Sequence, residues 1–324
     1  MKDLAISLPA QGRDLTPLLE QAAQFLEAAK AGSTRRAYAS DLRDFAAFCD
    51  AHDLPYLPSR AEVVALYISD LAARVTVATI QRRLSAITYA HREAGFESPA
   101  SPRSNFILRE VLSGIRRTLG TAQQGADPLL AEAVKQIAAA CPATLLGARD
   151  RALVLLGFSG AFRTNEVATI LRVEDLTFTP RQLYIRLRRS KTDQEQAGRT
   201  VVIGSGENEE TCPVRALRAW LEAGGIRAGP VFRAVDRHGH IGATALSTRS
   251  VSKILKGAAE RAGIDPRNIS GHSLRVGMVT TAALEGVEER EIALTTAHKS
   301  SRMVRRYIRD AALGRANMTA RLGL

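Results

Sequence analysis

Cysteine is scarce in this chain. Cys49, Cys141 and Cys212 lie far apart among 324 residues, and no CxxC pair occurs. That excludes a disulfide framework, and the three read as free thiols of a reducing compartment. No window approaches 18 apolar residues without charge, so no membrane-spanning helix is expected. The first residues are mixed in character and do not read as a secretory leader. Paired carboxylates of the kind that hydrolyse sugars are missing. So are a Gly-rich phosphate loop ending in lysine and serine and a carboxylate cluster fit for two metals. Acid is short as well: 33 Asp and Glu face 45 Lys and Arg, a formal net charge of +12. Such an excess favours a polyanionic partner, and nucleic acid is the usual one.

What is present suffices for two cores. The length is comfortable for two domains, and 45% of residues are apolar. Residues 1–15 show no period and read as a flexible arm. Residues 16–120 read as a helical domain. Thr16-Pro17 starts a first helix, with proline at the first helical position. Ser33 is placed to cap a second, whose Tyr38, Leu42, Phe45 and Cys49 share one stripe. Ser59 and Glu62 form a capping-box pattern before Val63, Leu66 and Tyr67. A fourth helix covers about 77–93, with Ile80, Leu84 and Ile87 inward. A fifth covers about 104–119. The small, polar, aperiodic GTAQQGA at 120–126 marks the boundary, with 121–126 as linker.

Residues 127–324 read as a second, mixed domain. Asp127-Pro128 opens a helix reaching about Ala140, and an apolar helix covers about 148–158. In SGAFRTNEVATI, Arg163 stands in an apolar neighbourhood and needs a partner, which Glu166 can be. The period then changes to two: Leu183, Ile185 and Leu187 alternate with Tyr184, Arg186 and Arg188. The loop SKTDQEQAG carries Lys191, and Thr200 to Ile203 read as the return strand. Residues 181–199 hold six basic and two acidic residues, which fits a solvated hairpin as well as one facing nucleic acid. Trp220 reads as core, and Val231-Phe232 as a short strand. His238-Gly-His240 lacks the surrounding ligands of a zinc site and reads as a turn. A helix from about 247 to 262 points Val251, Ile254 and Leu255 inward.

The last stretch, SGHSLRVGMVTTAALEGVEEREIALTTAHKSSRMVRRY, carries the densest chemistry. Ser270 is placed to cap a helix with His272 in its first turn and Arg275 three residues on, on the same face. His298 follows a short helix, and Tyr307 stands among arginines. Taken with Arg163 and Lys191, the set is two guanidiniums, two imidazoles, one ammonium and one phenol. That is a kit for attacking a phosphodiester without metal or other cofactor. Fixed cations stabilise the charge that gathers on the non-bridging oxygens. A phenol with pKa about 10 becomes a nucleophile when a base takes its proton. His272 can be that base. Lys191 can protonate the leaving 5′-oxygen, and His298 can donate to a phosphate oxygen. Each residue alone has a bland reading, as a satisfied core group or a solvated charge. Six compatible groups in a basic two-lobed chain are harder to explain that way.

At these residues the chain resembles the tyrosine recombinases, the phage integrase family. The carriers are FRTNE (Arg163, Glu166), SKTD (Lys191), GHSLR (His272, Arg275), AHKS (His298) and RRYIR (Tyr307). The resemblance implies a mainly α fold: a SAM-like helical core-binding domain, then a mostly helical catalytic domain with a small β-sheet and a C-terminal docking tail. It implies double-stranded DNA with an inverted-repeat target as partner, four protomers on two sites, and a covalent 3′-phosphotyrosine leading to a Holliday junction. The location it implies is the cytoplasm, with the nucleoid. It also implies DNA-facing roles for Arg35, Arg36, Arg43, Gln81, Arg82, Arg186, Arg188, Arg249, Lys253, Arg302, Arg305 and Arg306.

Two departures stand out. Many family members have Gly-His before the tyrosine, where this chain has Ala297-His298. The added methyl is compatible with a backbone that is not left-handed there. Phe162 replaces a leucine before Arg163. Neither departure removes a reactive group. The competing reading is a catalytically silent or accessory-dependent DNA-binding protein of the same fold. Neither the target sequence nor the outcome (excision, integration or inversion) is written in the chain.

Overall fold

The computed structural model describes residues 15–100, 106–121, 125–188, 198–297, 305 and 307. The chain divides into two compact units, Met1–Gln124 and Gly125–Leu324. No helix among the described residues is long and apolar enough to cross a membrane.

The first unit is all helical: α1 (Thr16–Ala28), α2 (Gly32–Ala51), α3 (Ala61–Ala72), α4 (Val77–Glu93) and α5 (Phe106–Leu119). Its core joins Phe45 and Cys49 of α2, Val64, Tyr67, Ile68 and Leu71 of α3, Ile80, Leu84 and Ile87 of α4, and Leu108 of α5. Two expected caps are not formed. The α2 cap position is Ala31, which places Ser33 inside the helix. The α3 cap position is Arg60, so Ser59 stands one residue too early for a capping box. Ser59 instead donates its backbone N–H to His91 Nε2 at 2.8 Å. The other ring nitrogen of His91 meets the Ile87 carbonyl at 2.9 Å, which fixes a neutral ring protonated at Nδ1. Leu66 is exposed, because the buried face of α3 runs through Val64, Tyr67, Ile68 and Leu71.

The second unit is a helical body with two small antiparallel sheets, so the chain as a whole is mainly α. Its helices are α6 (Ala131–Ala139), α7 (Leu145–Ser159), α8 (Pro213–Ala223), α9 (Thr248–Arg261), α10 (Ser273–Leu284) and α11 (Glu289–Thr296). Strands β1 (Leu176–Phe178), β2 (Gln182–Leu187) and β3 (Arg199–Gly204) form one sheet in sequence order. Strands β4 (Arg233–Val235) and β5 (Ile241–Ala245) form a hairpin. Helix α7 is buried through Ala152, Leu153, Val154, Leu155 and Leu156 and is the centre of the body. On β2 the alternation holds, with Leu183, Ile185 and Leu187 all buried and Tyr184, Arg186 and Arg188 exposed.

Three boundaries differ from the sequence pattern for visible reasons. Residues 127–130 do not begin α6. They run beside α10, with Asp127 N–H donating to Asn268 O at 3.2 Å and Leu129 N–H to Ser273 O at 3.1 Å. Val231 and Phe232 precede the strand rather than form it. Both are core residues, and the Val231 carbonyl accepts the Trp220 indole N–H at 2.9 Å. Strand β1 went unforeseen because it spans only three residues. The His238–His240 turn closes the β4–β5 hairpin, where Asp236 Oδ1 accepts the backbone N–H of both histidines.

Helix α10 packs against the 127–130 segment at van der Waals limits. A Cβ on Gly277 would lie 1.8 Å from the Leu129 carbonyl oxygen. We therefore expect Gly277→Ala to destabilise the chain by about 2–3 kcal/mol through overpacking, read as a lowered urea midpoint at unchanged slope.

Candidate active site

The site begins where α7 ends. Gly160 closes that helix, and Ala161 follows with φ +45°, a left-handed torsion unusual for alanine. The turn directs the next residues into a single π turn, Glu166–Ile170, whose ring is closed by Leu171 N–H donating to Glu166 O at 3.0 Å. The Glu166 side chain is fully buried. Its carboxylate accepts Arg163 N–H at 2.8 Å and Arg163 Nη1 at 3.0 Å. A third donor reaches it, Arg199 Nη2 at 3.3 Å, from the first residue of β3.

Arg275 lies beside this cluster. It is 2% exposed, among the largest fully buried side chains of the protein. Its Nη1 donates to Ala161 O at 2.5 Å and its Nη2 to Thr296 O at 2.7 Å. The left-handed turn at Ala161 and the C-terminal end of α11 thus both supply carbonyls to one guanidinium. Burial and the neighbouring charge of Arg163 bring its pKa down to about 10, with Glu166 opposing the shift. It remains a cation at neutral pH.

His272 is the residue at the α10 N-cap, not in the first turn as the pattern implied. Ser270 serves one step earlier: its hydroxyl accepts His272 N–H at 3.2 Å, and its own N–H donates to Ser273 Oγ at 3.0 Å. Gly271 allows the approach to the Arg163 turn, since a Cβ there would lie 2.3 Å from Thr164 Cγ2. The His272 ring is exposed, yet the surrounding protein and then the charges of Arg275 and Arg163 lower its pKa. The free ring is therefore biased to the neutral, proton-accepting form.

Tyr307 packs against the small cluster of Val279 from α10 and Ile292 from α11, and it lies within charge range of Arg275. The structure thus brings Arg163, Glu166, His272, Arg275 and Tyr307 together. Lys191, His298, Arg302 and Arg306 lie outside the described residues. Arg199 was missed by sequence reading, where it passed as one more charge of a basic hairpin. Its signal is the strand register, which pairs it with buried Leu187.

The other basic residues are placed as follows. Arg35, Arg36 and Arg43 are exposed on α2, and Gln81 is exposed on α4. Arg82 donates to the buried carboxylate of Asp41 at 3.0 Å, and Arg188 to buried Asp175 at 2.8 Å. Arg186, Arg249 and Lys253 are exposed. Arg305 pairs with Glu289, with Nε at 3.0 and 3.1 Å from its oxygens. Among the described residues no cluster of His, Cys, Asp and Glu is placed to hold a metal ion.

Residues 128–313 match the model of the phage integrase family, and the chain belongs to that family, the tyrosine recombinases. An integrase/recombinase XerD homologue from Selenomonas ruminantium is 40% identical over 92% of this chain and 87% of its own. The recombinase Cre of Escherichia phage P1 is more distant, 25% identical over 83% of this chain and 81% of its own. The fold is similar to that of a lambda integrase fragment solved as a dimer on a core site, with TM-score 0.60 and 16% identity. That match covers 90% of this chain and 94% of the other.

Ala297 corrects one expectation. The added methyl was compatible only with a backbone that is not left-handed, and here φ is +49° and ψ +48°. The α11 end therefore holds an alanine in a conformation that favours glycine. Ala297→Gly should raise stability by roughly 0.5–1 kcal/mol in urea unfolding, the reverse of what glycine does inside a helix.

Proposed function

We propose that the chain cuts and rejoins DNA at a specific site through a covalent phosphotyrosine, with Tyr307 as nucleophile. The observation that carries this reading is the convergence of Arg163 and Arg275 on the neighbourhood of Tyr307 and His272. Tyr307 Oη attacks phosphorus while its proton passes to His272. The bond to the 5′-oxygen breaks, and that oxygen takes a proton from Lys191. Arg163 and Arg275 stabilise the charge on the non-bridging oxygens, and His298 adds a hydrogen bond. A 5′-hydroxyl of another strand reverses the steps, so the energy of the phosphodiester is conserved in the protein–DNA link and no nucleotide is consumed.

The relatives support DNA as the partner. Proteins similar to this one are recombinases, and the lambda integrase fragment was solved on a DNA core site. We further propose that the target is double-stranded DNA with inverted repeats, bound by four protomers on two sites, with a Holliday junction between the two strand exchanges. Residues 16–120 act as the core-binding domain and 127–324 as the catalytic domain. Exposed Arg35, Arg36, Arg43, Gln81, Arg186, Arg249 and Lys253 contact DNA in this scheme, together with Arg82, Arg188, Arg302, Arg305 and Arg306. A cytoplasmic, nucleoid-associated location follows from such a partner.

A covalent trap tests the proposal. The protein is mixed with sheared genomic DNA from the organism that carries the gene, in the presence of a chelator. After denaturation, protein-linked fragments are captured and sequenced. Enrichment of one short inverted-repeat sequence is expected. Tyr307→Phe should bind DNA as well as the unmodified chain and yield no adduct; an adduct in that variant would sink the nucleophile assignment.

The lowered pKa of His272 gives a second expectation. The second-order rate of adduct formation reports titration in the free protein. Its acid limb should fall below about pH 6.5, the ordinary imidazole value, and His272→Gln should abolish the limb. The same shift affects stability. The unfolded chain takes this proton more readily, so the contribution is present above about pH 6.5 and is lost as pH falls through the folded value.

A further inference from the structure

We infer that Arg199 is a positioning residue for strand cleavage, one that keeps Arg163 available to phosphate by sharing Glu166. The inference rests on the phosphotyrosine chemistry proposed above.

A carboxylate beside a single guanidinium draws it into a two-bond fork. Here that fork does not form. Oε1 of Glu166 takes Arg163 Nη1 at 3.0 Å, but Oε2 is shared between the Arg163 backbone N–H at 2.8 Å and Arg199 Nη2 at 3.3 Å. Among the described residues Arg163 is therefore steadied through one side-chain nitrogen only, and it stays partly exposed while Glu166 is fully buried. Arg199 also adds a third cation to a site with one central carboxylate. Without it, the excess positive charge facing an incoming phosphate is smaller.

The same side chain reaches a second element. Arg199 Nη1 donates to Thr295 O at 3.1 Å, and the adjoining carbonyl, Thr296 O, accepts Arg275 Nη2 at 2.7 Å. Two arginines thus hold the end of α11, from which the chain runs toward His298 and Tyr307. Arg199 itself is the first residue of β3. Its position is expensive for stability. The side chain is largely buried, burial lowers its pKa against the pull of Glu166, and its Nε meets no acceptor among the described residues. A buried cation kept with incomplete hydrogen bonding is poorly explained by stability alone.

A double-mutant cycle tests this, using a duplex that carries the sequence recovered by covalent capture. Adduct formation is followed under single turnover for the unmodified chain, Arg199→Met, Glu166→Gln and the double variant. Circular dichroism and non-covalent binding to the duplex serve as controls. If Arg199 acts by sharing Glu166, Arg199→Met slows cleavage at least about 30-fold, but costs less than about 3-fold when Glu166 is already Gln. Arg199→Lys, which keeps the charge and has one donor group, should fall between; it carries the cycle if Arg199→Met does not fold. An equal loss in both backgrounds would mean that Arg199 acts through its charge or its hold on α11, independently of Glu166, and would overturn the inference. So would an unchanged rate in Arg199→Met. No adduct from the unmodified chain would overturn the phosphotyrosine reading itself, and the role of Arg199 with it.

Discussion

The carboxylate of Glu166 is the point on which the second unit's site depends. It is fully buried and accepts from the backbone and side chain of Arg163 and from Arg199. A carboxylate out of water is costly unless paired and hydrogen-bonded. Here its pairing fixes the turn after α7, the start of the π segment and the first residue of β3 at once. Removing the charge would leave Arg163 and Arg199 facing each other without compensation. The negative charge is thus what allows several cations to stand close together.

A second constraint is geometric. Arg275 is buried with its two terminal nitrogens on the carbonyls of Ala161 and Thr296. Ala161 is left-handed, and so is Ala297, the residue after Thr296. Left-handed alanine costs about 1 kcal/mol or more, and such strain persists where the surroundings over-determine it. Around Arg275 they do, since the helix end of α7, helix α10 and the end of α11 all converge on one guanidinium. Gly271 and Gly277 have a complementary role. Each marks a place where a Cβ would strike a neighbour, Thr164 in one case and the Leu129 carbonyl in the other. The word SGHSLRVG therefore encodes close approach as much as reactivity.

Much of this was legible in the sequence, and the limits are physical. Arg163 with Glu166, and His272 with Arg275, are local pairs that spacing alone brings together. The period-two pattern of β2 was visible because one face is buried and one exposed. Arg199 was not legible. It is 33 residues from Glu166, and only the β2–β3 register carries it there. Ser59 shows the converse failure. The capping pattern was present, but the backbone N–H was taken by His91, an acceptor 32 residues away. The start of α6 failed for a similar reason, since Asp127 and Leu129 give their N–H groups to the carbonyls of Asn268 and Ser273, more than 130 residues away. The torsion of Ala297 has no sequence signature, because it follows from where α11 ends.

The net charge of +12 deserves a structural reading too, since arginine far outnumbers lysine in this chain. Many of these arginines are engaged within the protein: Arg82 on Asp41, Arg188 on Asp175, Arg163 and Arg199 on Glu166. A lysine held in the same way would spend its compact charge on the carboxylate. A guanidinium has five donors in a planar fork, so it can be fixed by one acid and still offer nitrogens on its other edge. The half-exposed state of Arg82, with its partner Asp41 buried, fits that division. Arginine thus meets two demands that otherwise conflict, a side chain held in one place and a positive edge left open. The preference for arginine over lysine is the compositional trace of a surface that positions its charges rather than merely accumulating them.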